Sequence, residues 1–286
     1  MKHFTLKYLL LAGLPLLAAC NSNIDALHEV QPLQLCVSAG VSESRAVVDG
    51  CYLPDGAQVG LSLVDAEGNP YDGQDYTNVP YSVAGDGYNV QQTWSCTGAV
   101  TPSLSTTLGK AVAYYPYNPD VTDLSAIPIE TASQTDYMYS GWYSYLYYAA
   151  PKAELNMKHA MAVIMAKLPK EYLGSYTQVV SMQVTGAMFG SSAVLNATDG
   201  SLTSIAGLGE SILVLAEDGL KVTEDDDYIT VQMLVIPDSS VSSGSVDILV
   251  VMTDGEAFSQ SHKQFDIQTS CVSGTKYCFQ TGGIPG

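Results

Sequence analysis

Short runs in which every second residue is apolar constrain the fold of this chain more than any other feature. Residues 59–63 alternate in this way, and the turn-forming residues Gly-Asn-Pro follow at 68–70. A period of two is typical of a β-strand with one buried face. With Gly, Asp, Ser and Pro between the runs, the pattern returns at residues 111–117, 180–184, 228–235 and 246–252. Many short strands separated by turns predict an all-β chain built from β-sandwiches.

The composition indicates a folded, acidic chain. Apolar residues make up 47% of the sequence and charged residues 14%, which is enough to bury a core in one large or two ordinary domains. The formal net charge is −18. Binding to phosphate groups requires a surplus of Lys and Arg, so this charge argues against nucleic acid and anionic lipid as partners.

The apolar residues of one segment, 153–167, fit both the period of a strand and the period of a helix. From Ala153 to Lys167 the apolar residues alternate with Glu154, Asn156 and Lys158, but several of them also fall on one helical face. The Ala, Met and Lys residues favour a helix, whereas a sandwich favours a strand. We expect one long strand here. The composition changes near Pro151, which predicts domains at 46–152 and 153–286.

The N-terminus resembles an export signal. Lys2 and Lys7 precede an apolar run at 8–19 that is too short to span a bilayer, and no later stretch is long and apolar enough to do so. The run ends in Leu-Ala-Ala before Cys20, which resembles the lipobox of bacterial lipoproteins. We therefore expect a signal peptide at 1–19, lipidation of Cys20, and a precursor anchored in a membrane by its acyl chains. The rest of the chain then lies outside the cytoplasm.

Arg45 is the only arginine in the sequence, although a chain of this length ordinarily has on the order of ten. An Arg-specific protease would cut once, between Arg45 and Ala46, and leave the body intact. Loss of residues 20–45 would remove the lipid anchor and any strand in that segment, for which 33–37 is the best candidate. The open sheet edge could then accept a strand from a neighbour. Alternatively, low arginine content is a habit of the lineage and Arg45 lies in a linker.

The cysteines and histidines do not form a recognisable catalytic or metal-binding pattern. Apart from Cys20, the cysteines are Cys36, Cys51, Cys96, Cys271 and Cys278. Cys271 and Cys278 are close enough in sequence to close a disulfide, with buried thiols as the alternative. No metal-ligand spacing or nucleophile motif appears, which predicts no metal, no cofactor and no enzyme activity. We expect His159 to be a core histidine and the acidic run at 224–227 to be a solvated turn.

An unusually aromatic stretch lies at 137–148. Its members could stack on sugar rings or anchor a protein partner, or they could pack in the core or between domains. The candidate residues for binding a ligand or partner are Tyr137, Tyr139, Trp142, Tyr143 and Tyr145.

Taken in order, these landmarks resemble the fimbrillin family, the pilus subunits and related lipoproteins of Bacteroidales. Besides the lipobox and Arg45, they are the segments at 52–61, 114–117 and 134–137, the strand around His159, and the strand start at 274–277. The resemblance implies two transthyretin-like β-sandwich domains in tandem, export as a lipoprotein, proteolytic removal of an N-terminal segment, and assembly with other fimbrial subunits by strand exchange.

The predicted function is therefore a structural or adhesive subunit, at the shaft or the tip of a cell-surface fimbria. Its location would be the outer membrane as a lipid-anchored precursor, and the extracellular fimbrium afterwards. The alternative is an outer-membrane lipoprotein that binds glycans through the aromatic stretch and never polymerises. Arg45 separates the two hypotheses, because a glycan-binding lipoprotein gains nothing from losing its anchor.

Overall fold

The computed structural model describes residues 32–41, 53–85 and 92–280, and these belong to one compact unit. Their regular secondary structure consists of β-strands, apart from two single-turn 3₁₀ helices at Lys170–Tyr172 and Ala216–Asp218. No helix in these ranges is long and apolar enough to cross a membrane. The predicted all-β fold with two sandwich domains in tandem is confirmed.

The first half of the chain forms eleven of the described strands. They are β1 Leu33–Gln34, β2 Cys36–Val41, β3 Gln58–Asp65, β4 Tyr76–Ala84, β5 Gln92–Cys96, β6 Ser103–Leu104, β7 Gly109–Tyr115, β8 Ile127–Glu130, β9 Met138–Tyr139, β10 Tyr143–Leu146 and β11 Lys152–His159. Among them, β11 alternates strictly between buried and exposed residues.

The second half forms eleven more described strands. They are β12 Ala162–Pro169, β13 Gln178–Thr185, β14 Phe189–Gly190, β15 Ser192–Leu195, β16 Leu202–Ala206, β17 Ser211–Leu215, β18 Lys221–Glu224, β19 Tyr228–Pro237, β20 Gly244–Thr253, β21 Phe258–Ile267 and β22 Lys276–Gln280.

An eight-stranded sheet encloses the N-terminal core. Its strand order is β10-β7-β3-β4-β5-β2-β11-β9, and β9, at one end of this path, also pairs with β7, the second strand from the other end. The alternate residues that face inward are apolar, as at Val59, Leu61 and Leu63 on β3, which are fully buried. The alternation seen in the sequence at 59–63 is therefore the inward face of a central strand.

The C-terminal half is a sandwich of two sheets. One contains β22-β12-β19 with β14 and β18 also paired to β19, and the other has the order β17-β13-β20-β21. Their facing side chains form one core cluster, to which β12, β19 and β20 contribute alternate residues such as Ile164, Val231 and Val250. Burying each large aliphatic side chain of this kind contributes about 1.5–3 kcal/mol.

A third apolar cluster joins the two halves. Strand β8 leaves the N-terminal half and pairs with β15, which also pairs with β16, so a three-stranded sheet contains residues from both. Beneath it, Tyr114 and Ile129 pack with Met161, Leu195 and Ile236. We call this cluster the seam.

The side chain of Gln134 adds polar contacts to the seam. Its amide nitrogen donates to the carbonyl of Leu234 at 3.2 Å, and its amide oxygen accepts from the backbone N–H of Leu234 at 2.7 Å. Gln134 therefore links the loop before β9 to the backbone of β19 through two hydrogen bonds.

The single strand predicted at 153–167 is wrong, because the chain forms two strands there, β11 and β12, separated by Ala160 and Met161. Strand β11 pairs with β2 and β9 in the N-terminal sheet, whereas β12 pairs with β19 and β22 in the C-terminal one. The chain therefore changes sheet at Ala160–Met161. The domain boundary at 152/153 stays a prediction.

Candidate functional site: a cleft filled by the N-terminal strand

Strand β2 occupies a central position in the N-terminal sheet. It runs antiparallel to β5, with Val37 opposite Trp94, and parallel to β11, with Cys36 to Val41 in register with Lys152 to Met157. Without β2, the facing edges of β5 and β11 would both have unpaired backbone groups. The result would be a cleft one strand wide that an extended segment could fill.

The side chains of this segment complete the core. Leu35 and Val37 are 2% and 4% exposed and belong to the N-terminal cluster. Upstream of β2, the N–H groups of Leu35 and Cys36 donate to the carbonyls of Pro102 and Pro151 at 3.0 and 2.9 Å. A strand that replaced β2 would need apolar residues at the same two inward positions.

Three buried polar atoms lie on β2, β5 and the next strand, β4. Ser38 Oγ, the Tyr81 hydroxyl and Trp94 Nε1 are buried and make no hydrogen bond within the described parts of the chain. Burial raises the pKa of Tyr81 above its ordinary value, so its hydroxyl keeps its proton. Each unpaired buried group costs about 1–3 kcal/mol.

The predicted processing residues fall outside the described ranges. Cys20, Arg45 and Ala46 all do so, as does Cys51, whereas β2 ends at Val41, upstream of Arg45. The sequence predicted a strand at 33–37. The structure has β1 and β2 on either side of Leu35, and β2 extends to Val41. The strands that line the cleft, β5 and β11, were not predicted as its walls, because pairing between distant segments leaves no local signal.

The aromatic candidates divide into packed and exposed residues. Tyr137 and Tyr139 pack against the seam, and Tyr143 packs against the N-terminal core. Trp142 and Tyr145 are 40% and 77% exposed. The ammonium of Lys110 lies 4.9 Å from the centre of the Trp142 ring, and Tyr145 has a left-handed backbone with φ 68°. Trp142 and Tyr145 are therefore the exposed members of the candidate set, and a binding role for the five residues stays a prediction.

Cys271 and Cys278 are free thiols in the structure, and a disulfide between them stays a prediction. Cys271 is buried in the C-terminal core, with its sulfur 4.0 Å from Met188 Sδ, whereas Cys278 is exposed on β22. Burial raises the pKa of the Cys271 thiol to about 11. The two thiols therefore have opposite environments, one buried and one exposed.

His159 lies in a buried polar contact, and the acidic run at 224–227 forms a turn. His159 Nδ1 lies 2.6 Å from Asp136 Oδ2, and both side chains are about nine-tenths buried beside the seam. Asp225 accepts the backbone N–H groups of Asp227 and Tyr228, which lowers its pKa and forms a turn. In the parts of the chain that the structure describes, no group of three or more His, Cys, Asp or Glu residues could hold a metal ion.

Solved structures share this architecture. A candidate cell adhesion protein from Bacteroides uniformis superposes with a TM-score of 0.60 at 14% identity, covering 86% of this chain and 91% of the other. A second, from Bacteroides ovatus, has a TM-score of 0.57 at 15% identity and covers 89% and 96%. A third, from Bacteroides fragilis, has a TM-score of 0.53 at 10% identity and covers 86% and 92%. No protein with curated annotation matches the sequence.

Because the identities are this low, the superpositions show only that the chain shares the fold of these proteins, which is two β-sandwiches in tandem. The model of the fimbrillin-like family matches residues 44–281. The chain belongs to the fimbrillin-like family, and it is a structural protein and not an enzyme.

Proposed function

We propose that the protein is a structural or adhesive subunit of a cell-surface fimbria, exported as a lipoprotein through Cys20, processed after Arg45, and assembled by replacing β2 with a strand from another subunit. The observation that carries this proposal is the position of β2. It lies in the middle of a sheet and also upstream of the only arginine in the sequence.

Attachment explains why the precursor stays closed. While the segment that contains β2 is joined to the body, its effective concentration at the cleft is high, about millimolar for short flexible connections. A neighbour's strand therefore competes poorly. Cleavage after Arg45 makes the segment a separate peptide. Once this peptide leaves the cleft, its concentration there falls, and it no longer outcompetes a neighbour's strand.

Assembly follows from the cost of the empty cleft. The edges of β5 and β11 then lack partners for their backbone groups, and the inward positions of Leu35 and Val37 become apolar pockets. A donor strand with apolar residues at alternate positions satisfies both requirements. Repetition of this contact from head to tail builds a fibre. Other subunits of the same fibre are the proposed partners, and the cell surface is the proposed location.

The test compares the precursor with two variants at the processing site. After treatment with an Arg-specific protease in the presence of the other fimbrial subunits, wild type should lose residues 20–45 and form filaments, measured by size-exclusion chromatography and electron microscopy. Arg45→Ala should fold, keep its lipid and stay monomeric, and Arg45→Lys should be processed poorly. Equal assembly of wild type and Arg45→Ala would refute the proposal.

A further inference from the structure

A cleft over the three-stranded sheet lies away from β2. Its volume is about 460 Å³, and strands β8 and β15 form its floor, with Ile129 and Ala193 among the lining residues. Asn118 and Tyr137 line it from the N-terminal half, and Ser204 on β16 lines it from the C-terminal half. This volume is within the range of sites for small molecules, which often form between domains.

Several polar groups at this cleft make no hydrogen bond to other described residues. Among the described residues, the amide nitrogen of Asn118 donates no hydrogen bond, while its amide oxygen accepts the N–H of Asp120 at 2.9 Å. No hydrogen bond joins the hydroxyls of Ser192 and Ser204 to any described residue. The Glu130 carboxylate accepts the N–H groups of Ala132 and Ser133, at 2.8 and 3.3 Å, and a carboxylate has about four acceptor sites.

Tyr137 supplies an aromatic wall. It is partly buried against the seam, and burial, followed by the charge of Glu130, raises the pKa of its hydroxyl. The phenol therefore stays neutral at physiological pH and can donate a hydrogen bond. Ser204 has a left-handed backbone, with φ 52°, which is a strained conformation for a residue other than glycine and is common where a fold positions a ligand contact.

The charge and polarity of the residues that line the cleft favour an uncharged ligand with many hydroxyl groups. No Lys or Arg lines the cleft, and Glu130 adds a negative charge to a chain that is already at −18. Anionic ligands are disfavoured on both grounds. An amide donor, a carboxylate acceptor and two hydroxyls beside an aromatic ring match a molecule with many hydroxyl groups and an apolar ring face.

We propose that this cleft binds a neutral sugar residue, a hexose or an N-acetylhexosamine, and thus gives the subunit a carbohydrate-binding function besides its structural one. The site needs neither cleavage at Arg45 nor loss of β2. Its test on the uncleaved precursor is therefore independent of strand exchange.

Binding is measured by saturation-transfer NMR on the full chain with glucose, galactose, mannose, N-acetylglucosamine, N-acetylgalactosamine and lactose as probes, and N-acetylneuraminic acid as the anionic control. At least one neutral probe should bind. Ser192→Trp, which places an indole in the cleft from a partly exposed position, should abolish binding. Ser192→Ala and Asn118→Ala should each weaken it about five- to tenfold, as expected for one lost hydrogen bond.

Matched controls separate this site from the exposed aromatic residues and from misfolding. Tyr145→Ala removes an exposed ring outside the cleft and should leave binding unchanged, and all variants should keep the melting temperature of wild type to within a few degrees. The proposal is overturned if no neutral probe binds, if only N-acetylneuraminic acid binds, if Ser192→Trp still binds, or if Tyr145→Ala abolishes binding.

Discussion

At the scale of single residues, the environments of Cys271 and Cys278 have opposite consequences for reactivity. The reactive form of cysteine is the thiolate. Because burial raises the pKa of Cys271 to about 11, its thiol stays protonated at pH 8 and becomes thiolate only as the pH approaches that value. Cys278 is exposed and accessible to reagent.

Iodoacetamide at pH 8 should therefore alkylate Cys278 in the folded protein and leave Cys271 at least tenfold less modified, as measured by peptide mass spectrometry. In urea both residues should react, which controls for detection of the two peptides. Equal labelling of both thiols in the folded protein would show that Cys271 is not buried as described. Resistance of both to alkylation without reductant would instead restore the disulfide predicted from the sequence.

At the scale of elements, alternation in the sequence predicted where strands lie but not where the chain changes sheet. Residues 153–159 alternate strictly and form β11, which has one exposed face. Residues 162–166 are all buried because Ile164 faces the C-terminal core and Val163 faces the seam. Residues 160–166 contain no polar side chain, and this change after His159 was the sequence signal for the change of sheet.

The candidate site could also be predicted only in part from the local sequence pattern. A strand near residues 33–37 could be predicted from its composition, but its partners could not. Strand β11 lies more than a hundred residues further along the chain and pairs in parallel. Such contacts depend on the whole topology and not on local periodicity. The division of the aromatic stretch between the seam, the core and the surface was unpredictable for the same reason.

The core contacts of β2 give a prediction about stability. Val37→Asp would place a carboxylate at a position that is 4% exposed, and should lower the free energy of unfolding by about 3 kcal/mol or more. Cys36→Ser, next to it on the exposed face, should change the free energy of unfolding by about 0.5 kcal/mol or less. Urea denaturation of the precursor measures both. If Val37→Asp were as stable as Cys36→Ser, β2 would not occupy the cleft.

At the scale of the whole molecule, the seam joins two sandwiches that each have a core of their own. The seam buries residues from both halves, and its three-stranded sheet hydrogen-bonds across them. Two domains with a large apolar interface unfold together, whereas weakly joined domains unfold separately. We therefore expect the described body to melt in one transition.

Calorimetry of the precursor tests this expectation. Leu195→Asn places an unpaired amide in the seam and should divide the single transition into two. Val250→Ala, in the C-terminal core, should lower the melting temperature by several degrees. Two transitions already present in wild type would show that the seam does not couple the halves.

The central claim is that β2 must leave its cleft before the subunit can assemble, and a reversible lock tests it most directly. Ser38 and Thr93 are opposite each other in the antiparallel pair of β2 and β5. Cα atoms at such positions are about 4.5–5.5 Å apart, within the span of a disulfide. Ser38→Cys with Thr93→Cys, in a background of Cys36→Ser and Cys96→Ser, should therefore close an S–S bond that holds β2 in place.

Electron microscopy of the protease-treated variant, with the other fimbrial subunits present, gives the result. Oxidised protein should be cut after Arg45 but form no filaments, and reduction should restore assembly to the level of the same background without the two added cysteines. Filaments formed equally well by the oxidised and reduced protein would contradict the account, because assembly would then not require the departure of β2.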